Sequence, residues 1–235
     1  MISGEQASGE HAQPARGDTS ATALQILATE HWSLLATRSL TYTESLSRVT
    51  MFLSVLSAAV VALAFLAQVD NFHEAFNIAA VLVLSVVLFI GLATVGRLST
   101  LNREDARWVM GMNRLRRAYL ELHPELEPYF MTASHDDQRG IMLTLGVNMP
   151  RGGFSILDLL HGFQTLPLMM GVIVSVVAGV WASLIGAWVG VSTPGAVAIG
   201  VALFFLMVVA QFWLARRNFI KFISEVTPAF PAEPS

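Results

Sequence analysis

The chain is expected to be an all-α integral membrane protein: four transmembrane helices arranged as two hairpins, with cytoplasmic helical extensions and an amphipathic interfacial helix. Three observations lead there. Residues 49–69, 78–96, 166–189 and 195–215 contain no Asp, Glu, Lys, Arg or His. All 14 Lys and Arg fall within residues 1–48, 97–166 and 216–235, and none lies in those runs or in the short segments between the first and second or third and fourth. Charged residues make up only 13% of the chain and mean hydropathy is +0.59, whereas soluble domains carry about 25% charge.

At a rise of about 1.5 Å per residue, a 21-residue helix covers roughly 31 Å, the thickness of a bilayer's hydrocarbon core. Each run is close to that length, and a soluble buried helix would normally keep a polar face. The segment 70–77 is acidic and short, and 190–194 is uncharged with a Pro194-Gly195 turn signal, so each pair of spans should form a hairpin. Basic residues flanking a span stay on the cytoplasmic side. Arg97, Arg103, Arg107, Arg114, Arg116 and Arg117 follow the second run, which places both termini and the central loop in the cytoplasm of a cell whose inner (plasma) membrane holds the spans. No basic-then-apolar leader precedes the first run, so that span should double as the insertion signal. Trp188, Trp213 and Phe212 sit where amphipathic rings favour headgroups. Gln68 and Gln211 lie near span ends, where water can solvate an amide.

Outside the spans, residues 1–19 are poor in apolar side chains and should be a disordered tail. Residues 20–48 then read as a helix leading into span one, with Leu24, Leu27, His31, Leu35, Tyr42, Leu46 and Val49 on one stripe. In the loop region 98–165, Leu101, Trp108, Met112, Leu115, Tyr119 and Leu122 form a second stripe. The two stripes are expected to pair antiparallel as a stalk, with Glu30 and Glu44 opposing arginines. Ser134 should cap a short helix whose first turn holds Asp136 and Asp137 and which ends near Gly146. Ser155, Ile156, Leu157 and Asp158 open the interfacial helix, on which His161 reads as an interfacial polar residue. Residues 49–97 and 166–215 make the two hairpins, and 216–235 the second tail.

The chemistry of the spans is packing. Gly171, Ser175, Gly179, Ser183 and Ala187 recur every fourth residue, beside a ridge of Ala178, Ala182, Gly186 and Gly190; small residues at this spacing let helix backbones approach closely. Ser54, Ala58 and Ala62 offer a matching surface on span one, and a homo-oligomer through span three is the other use of such a stripe. Arg97, Arg103, Arg107, Arg114, Arg117, Arg216 and Arg217 are assigned to anionic lipid headgroups of the bilayer. A net charge of −3 and the lack of an aromatic-interleaved basic groove argue against nucleic acid. The chain has no Cys, which removes thiolate chemistry. His73-Glu74 begins like a zinc-protease helix but Asn77 stands where the second imidazole belongs. No phosphate loop, nucleophile elbow or dinucleotide fingerprint is present, and no cofactor or metal is implied. Coupled carriers keep ionisable residues inside the bundle, and these runs have none. The expectation is a structural, interaction or regulatory membrane component that is not an enzyme. The alternatives are an oligomeric pore or channel component and, third, an enzyme with a polar site around His123, His135, Asp136 and Asp137.

Overall fold

The computed structural model describes residues 16–70, 74–146, 165–225 and 227–232. Among these the regular elements are all helical: α1 (Arg16–Asp70), α2 (Glu74–Leu122), a 3-10 turn (Pro124–Tyr129), α3 (Gln138–Thr144), α4 (Leu166–Trp188) and α5 (Thr193–Glu225). The four long helices are long and apolar enough to cross a membrane. The tail up to residue 15, His73 and the expected interfacial helix with Ser155 and His161 lie outside the described residues. Helix α1 starts at Arg16, ahead of the expected Ser20. Once residues 20–48 are helical, each preceding residue adds a hydrogen bond without a new nucleus.

Helices α2 and α4 are the inner pair, with α1 packed on α2 and α5 packed on α4. Their shared core joins Val49, Phe52 and Ala59 of α1, Leu84, Val87, Leu98 and Leu101 of α2, and Met170, Val174 and Val177 of α4. Gly91 is the close approach at its centre. A Cβ there would lie 2.7 Å from Val174 Cγ2 and 2.9 Å from Phe52 Cε2. Ser54, Ala58 and Ala62 are exposed, contrary to the expectation of a matching surface; the buried residues of that stretch are Phe52 and Ala59. The stripe of small residues points outward because the bulky Phe52 takes the space beside Gly91.

The turn between α4 and α5 also differs from its sequence reading. Its glycine is Gly190, at φ +90°. Gly190 N–H donates to Ala187 O at 3.1 Å and Val191 N–H to Gly186 O at 3.0 Å, the paired bonds that close a helix on a left-handed glycine. Pro194 and Gly195 belong instead to the first turn of α5, where a missing N–H costs nothing.

Helices α1 and α2 run antiparallel, with Arg38 bonded to Asp105 at 2.7 Å and Glu44 to Arg97 at 3.0 Å. The face of α1 that meets α2 carries His31, Leu34, Arg38, Thr41, Ser45 and Val49, all at least half-buried. Leu35, Tyr42 and Leu46, expected on that face, are exposed.

Candidate functional site

A buried polar cluster is built where the far end of α2 meets α3 and the C-terminal tail. Asn113 of α2 is fully buried and uses both ends of its amide. Its Nδ2 donates to His135 O at 2.8 Å, while its Oδ1 accepts from Arg116 Nη1 at 2.7 Å and Thr144 Oγ1 at 3.0 Å. One amide thus ties α2 to both ends of the α3 segment. Beside it Tyr119 stacks between His31 of α1, at 5.9 Å, and Phe130, at 6.5 Å. Burial first, then the nearby Arg116 guanidinium, lowers the pKa of His31, so its ring is neutral at pH 7.

Two adjacent carboxylates then grip the tail. Asp136 is completely buried. Its Oδ2 accepts from Arg114 Nε at 2.7 Å and Ala229 N–H at 2.8 Å, and its Oδ1 from Phe230 N–H at 2.7 Å. Its own N–H returns a bond to Phe230 O at 3.3 Å. Asp137 accepts from Gly140 N–H through Oδ1 at 2.7 Å and from Ala232 N–H through Oδ2 at 3.0 Å. Burial by itself would raise the pKa of Asp136. The Ala229 N–H, the Arg114 guanidinium and the Phe230 N–H together outweigh it and hold the carboxyl below its ordinary value. Arg114 Nη2 also reaches Thr227 O at 3.4 Å. An open cleft of about 390 Å³ lies alongside, lined by Arg117, His135, Phe230, Pro231 and Ala232.

The residue that caps α3 is Asp137, not the expected Ser134. Gly140 makes that geometry possible, because a Cβ there would collide with His135 O. The helix does end as expected, at Gly146 with φ +75°. The four residues of the third functional reading do not converge. His123 Nδ1 pairs with Glu125 at 3.0 Å, while both aspartates are turned to the tail. No three His, Asp or Glu side chains come together as metal ligands among the described residues.

In the apolar region, Gly171, Ser175, Gly179 and Ser183 meet α5 of the same chain, whereas Ala187 is exposed. The Gly179 Cα hydrogens face Gly200, where an added Cβ would lie 2.8 Å from Gly200 O, and Ser183 lies against Gly200 in turn. The second ridge is used as well: Ala178, Ala182 and Gly186 are buried, the last against Ala196.

The seven arginines assigned to lipid fall into different settings. Arg97 bonds Glu44 and Glu104, Arg114 bonds Asp136, and Arg117 bonds Glu121 at 3.0 Å. Arg103 bonds Thr100 Oγ1, and Arg217 lies over the Trp213 ring at 5.4 Å. Arg107, Arg216 and Arg217 are exposed.

No protein-family model, curated protein or solved structure matches the chain. Three partnerships escaped the sequence reading. Gln211 Nε2 donates to Gly171 O and Ser175 Oγ, both at 3.2 Å, across the α4–α5 contact. Trp181 Nε1 donates to Ser85 Oγ at 2.8 Å between α4 and α2. Asn113 and Arg116 are buried at positions that an apolar stripe passes over. Only for Gln211 did the sequence carry a signal, a side-chain amide within an otherwise uncharged apolar run, 195–215.

Proposed function

We propose that the chain is a four-span integral membrane protein, inserted in the plasma membrane as two helical hairpins with both termini cytoplasmic. In this reading it works as a non-enzymatic interaction or regulatory component. Insertion is supported by the outward faces of the long helices, where Val60, Val61 and Phe65 of α1, Leu82, Val86 and Phe89 of α2, and Val201, Phe205 and Leu206 of α5 are exposed. Burying one such side chain is worth about 1.5–3 kcal/mol, and a bilayer supplies the missing apolar phase. The exposed residues Arg107 and Arg217 would then face anionic headgroups, worth about 1 kcal/mol each near the surface.

The observation that carries the interaction reading is the outer face of α1 before residue 49. Trp32 is 71% exposed, Tyr42 63%, and Leu35 and Leu46 stand beside them. The Arg38–Asp105 and Glu44–Arg97 pairs fix this helix on α2, so the face is presented rigidly, beyond the apolar run. Exposed aromatic and aliphatic side chains grouped on one rigid surface mark interaction sites. A catalytic reading draws little support from the acidic pair, whose oxygens are occupied by protein donors.

Two measurements test the proposal. Purified chain reconstituted in liposomes should carry no ion flux above lipid background; a robust conductance would replace this reading with the pore component. A photo-reactive residue installed at Trp32 or Tyr42 in living cells should give discrete adducts, and the same residue at Val60 should cross-link lipid. Uniform lipid adducts at all three positions would sink the interaction role.

A further inference from the structure

The C-terminal tail contains the run Pro228-Ala229-Phe230-Pro231-Ala232. Proline has no N–H, so this stretch owns three backbone donors, and every one of them, Ala229, Phe230 and Ala232, ends on an oxygen of Asp136 or Asp137. The contact is two-way, since Asp136 N–H bonds Phe230 O and Arg114 reaches Thr227 O. The side chains of the strap add apolar contact, with Phe230, Pro231 and Ala232 lining the open cleft, but none of them makes a polar bond to the acidic pair. The polar recognition therefore runs through the main chain. Bonds from N–H to an ionised carboxylate are about twice as strong as neutral ones, and the two prolines restrict the free strap before it docks, which lowers the ordering cost.

We propose that Asp136 and Asp137, closed by Arg114, form a receptor for the backbone of an extended, proline-bracketed peptide. In the resting molecule it is occupied by the chain's own residues 227–232, and that strap is exchangeable. The site reads the spacing of N–H groups and tolerates a change of side chain. Exchange is feasible because the strap lies at the surface, where water can solvate both carboxylates while one peptide leaves and the next arrives. This proposal does not depend on the exposed face of α1.

The test uses the full-length chain in detergent micelles and reads amide hydrogen exchange at Ala229, Phe230 and Ala232. Asp136→Asn should speed exchange at Ala229 and Phe230 at least tenfold while the amides of α4 and α5 keep their rates. An excess of the synthetic hexapeptide Thr-Pro-Ala-Phe-Pro-Ala, added to the unmodified chain, should speed exchange of the strap by displacing it. The same peptide N-methylated at its central alanine and phenylalanine should have no effect. Phe230→Ser in the full chain should leave protection within about twofold, and this variant keeps the question answerable if Asp136→Asn does not fold. An unchanged rate in Asp136→Asn, an N-methylated peptide as effective as its parent, or loss of protection in Phe230→Ser would each overturn the proposal. Protection that falls on dilution would overturn it too, since the strap would then come from a second copy.

Discussion

Asp136 is the residue on which the end of the molecule turns. Its carboxylate is fully buried and accepts three hydrogen bonds, and removing a partner from such a group leaves an unpaired charge costing about 3–5 kcal/mol. Because its folded pKa is lowered, the unfolded chain binds a proton more readily than the folded one. Its stabilisation is thus fully present above the ordinary carboxylate value of about 4, and is lost as pH falls through the depressed value. The amide proton resonances of Ala229 and Phe230, followed from about pH 7 into strong acid, should hold their positions until below pH 4 and then move together to random-coil values. Movement well above that range would mean that a group other than Asp136 controls the strap. Glu44 follows the same sign. Bonds from Arg97 and then Arg48 bring its pKa to about 2, so the contact between the α1 and α2 extensions should also persist through mild acid.

At the scale of the element, the register of α1 on α2 is the informative case. The facing positions 31, 34, 38, 41, 45 and 49 are separated by steps of three or four, as paired helices require. Leu34 Cδ1 lies 3.1 Å from where a Gly111 Cβ would be. Since the chain has no Cys, a Leu34→Cys, Gly111→Cys double variant should be joined by a short thiol-directed linker, and a Leu35→Cys, Leu115→Cys pair should react far less; equal yields would put the register in error. Gly91 gives a second prediction: Gly91→Leu forces Val174 and Phe52 apart, which should cost about 1–3 kcal/mol or more and lower the melting midpoint in detergent. The existence of both extensions and their pairing partner was legible in sequence, because uninterrupted helical spacing continues past each apolar run. Their facing sides were only partly so. Arg38 and Glu44 are interfacial because Asp105 and Arg97 answer them, and a hydrophobic stripe cannot report that complementarity. The clamp was legible only as two acids at a helix start: the use of Asp136 depends on a strap 93 and 94 residues away, which no local pattern encodes.

For the molecule as a whole, two kinds of surface lie along the same helices. Between residues 49 and 69 the outer side of α1 carries no charge, and before residue 49 it carries Glu30 among its aromatics. A change from one to the other within a single unbroken helix is what a boundary between hydrocarbon and water demands, because a charge at the bilayer centre costs about 2.5–3.5 kcal/mol or more. The basic residues add direction. Arg48, Arg97, Arg216 and Arg217 stand at the ends of the first, second and fourth apolar runs that lie away from the two turns, while the α4–α5 turn at Gly190 carries no charge. If that asymmetry governs insertion, the turn at Gly190 and the C-terminus must lie on opposite sides of the membrane. Alkaline phosphatase, which requires a non-cytosolic compartment to be active, should therefore work when fused after Gly190 and fail when fused to the C-terminus. A fluorescent protein that matures only in the cytosol should show the reverse. Adding three lysines between Val191 and Ser192 while replacing Arg216 and Arg217 by Asn should weaken both signals, since the second pair of helices would then carry no preferred orientation. Strong phosphatase activity at both sites would remove the four-span topology itself, because in it a single crossing, that of α5, always separates Gly190 from the C-terminus.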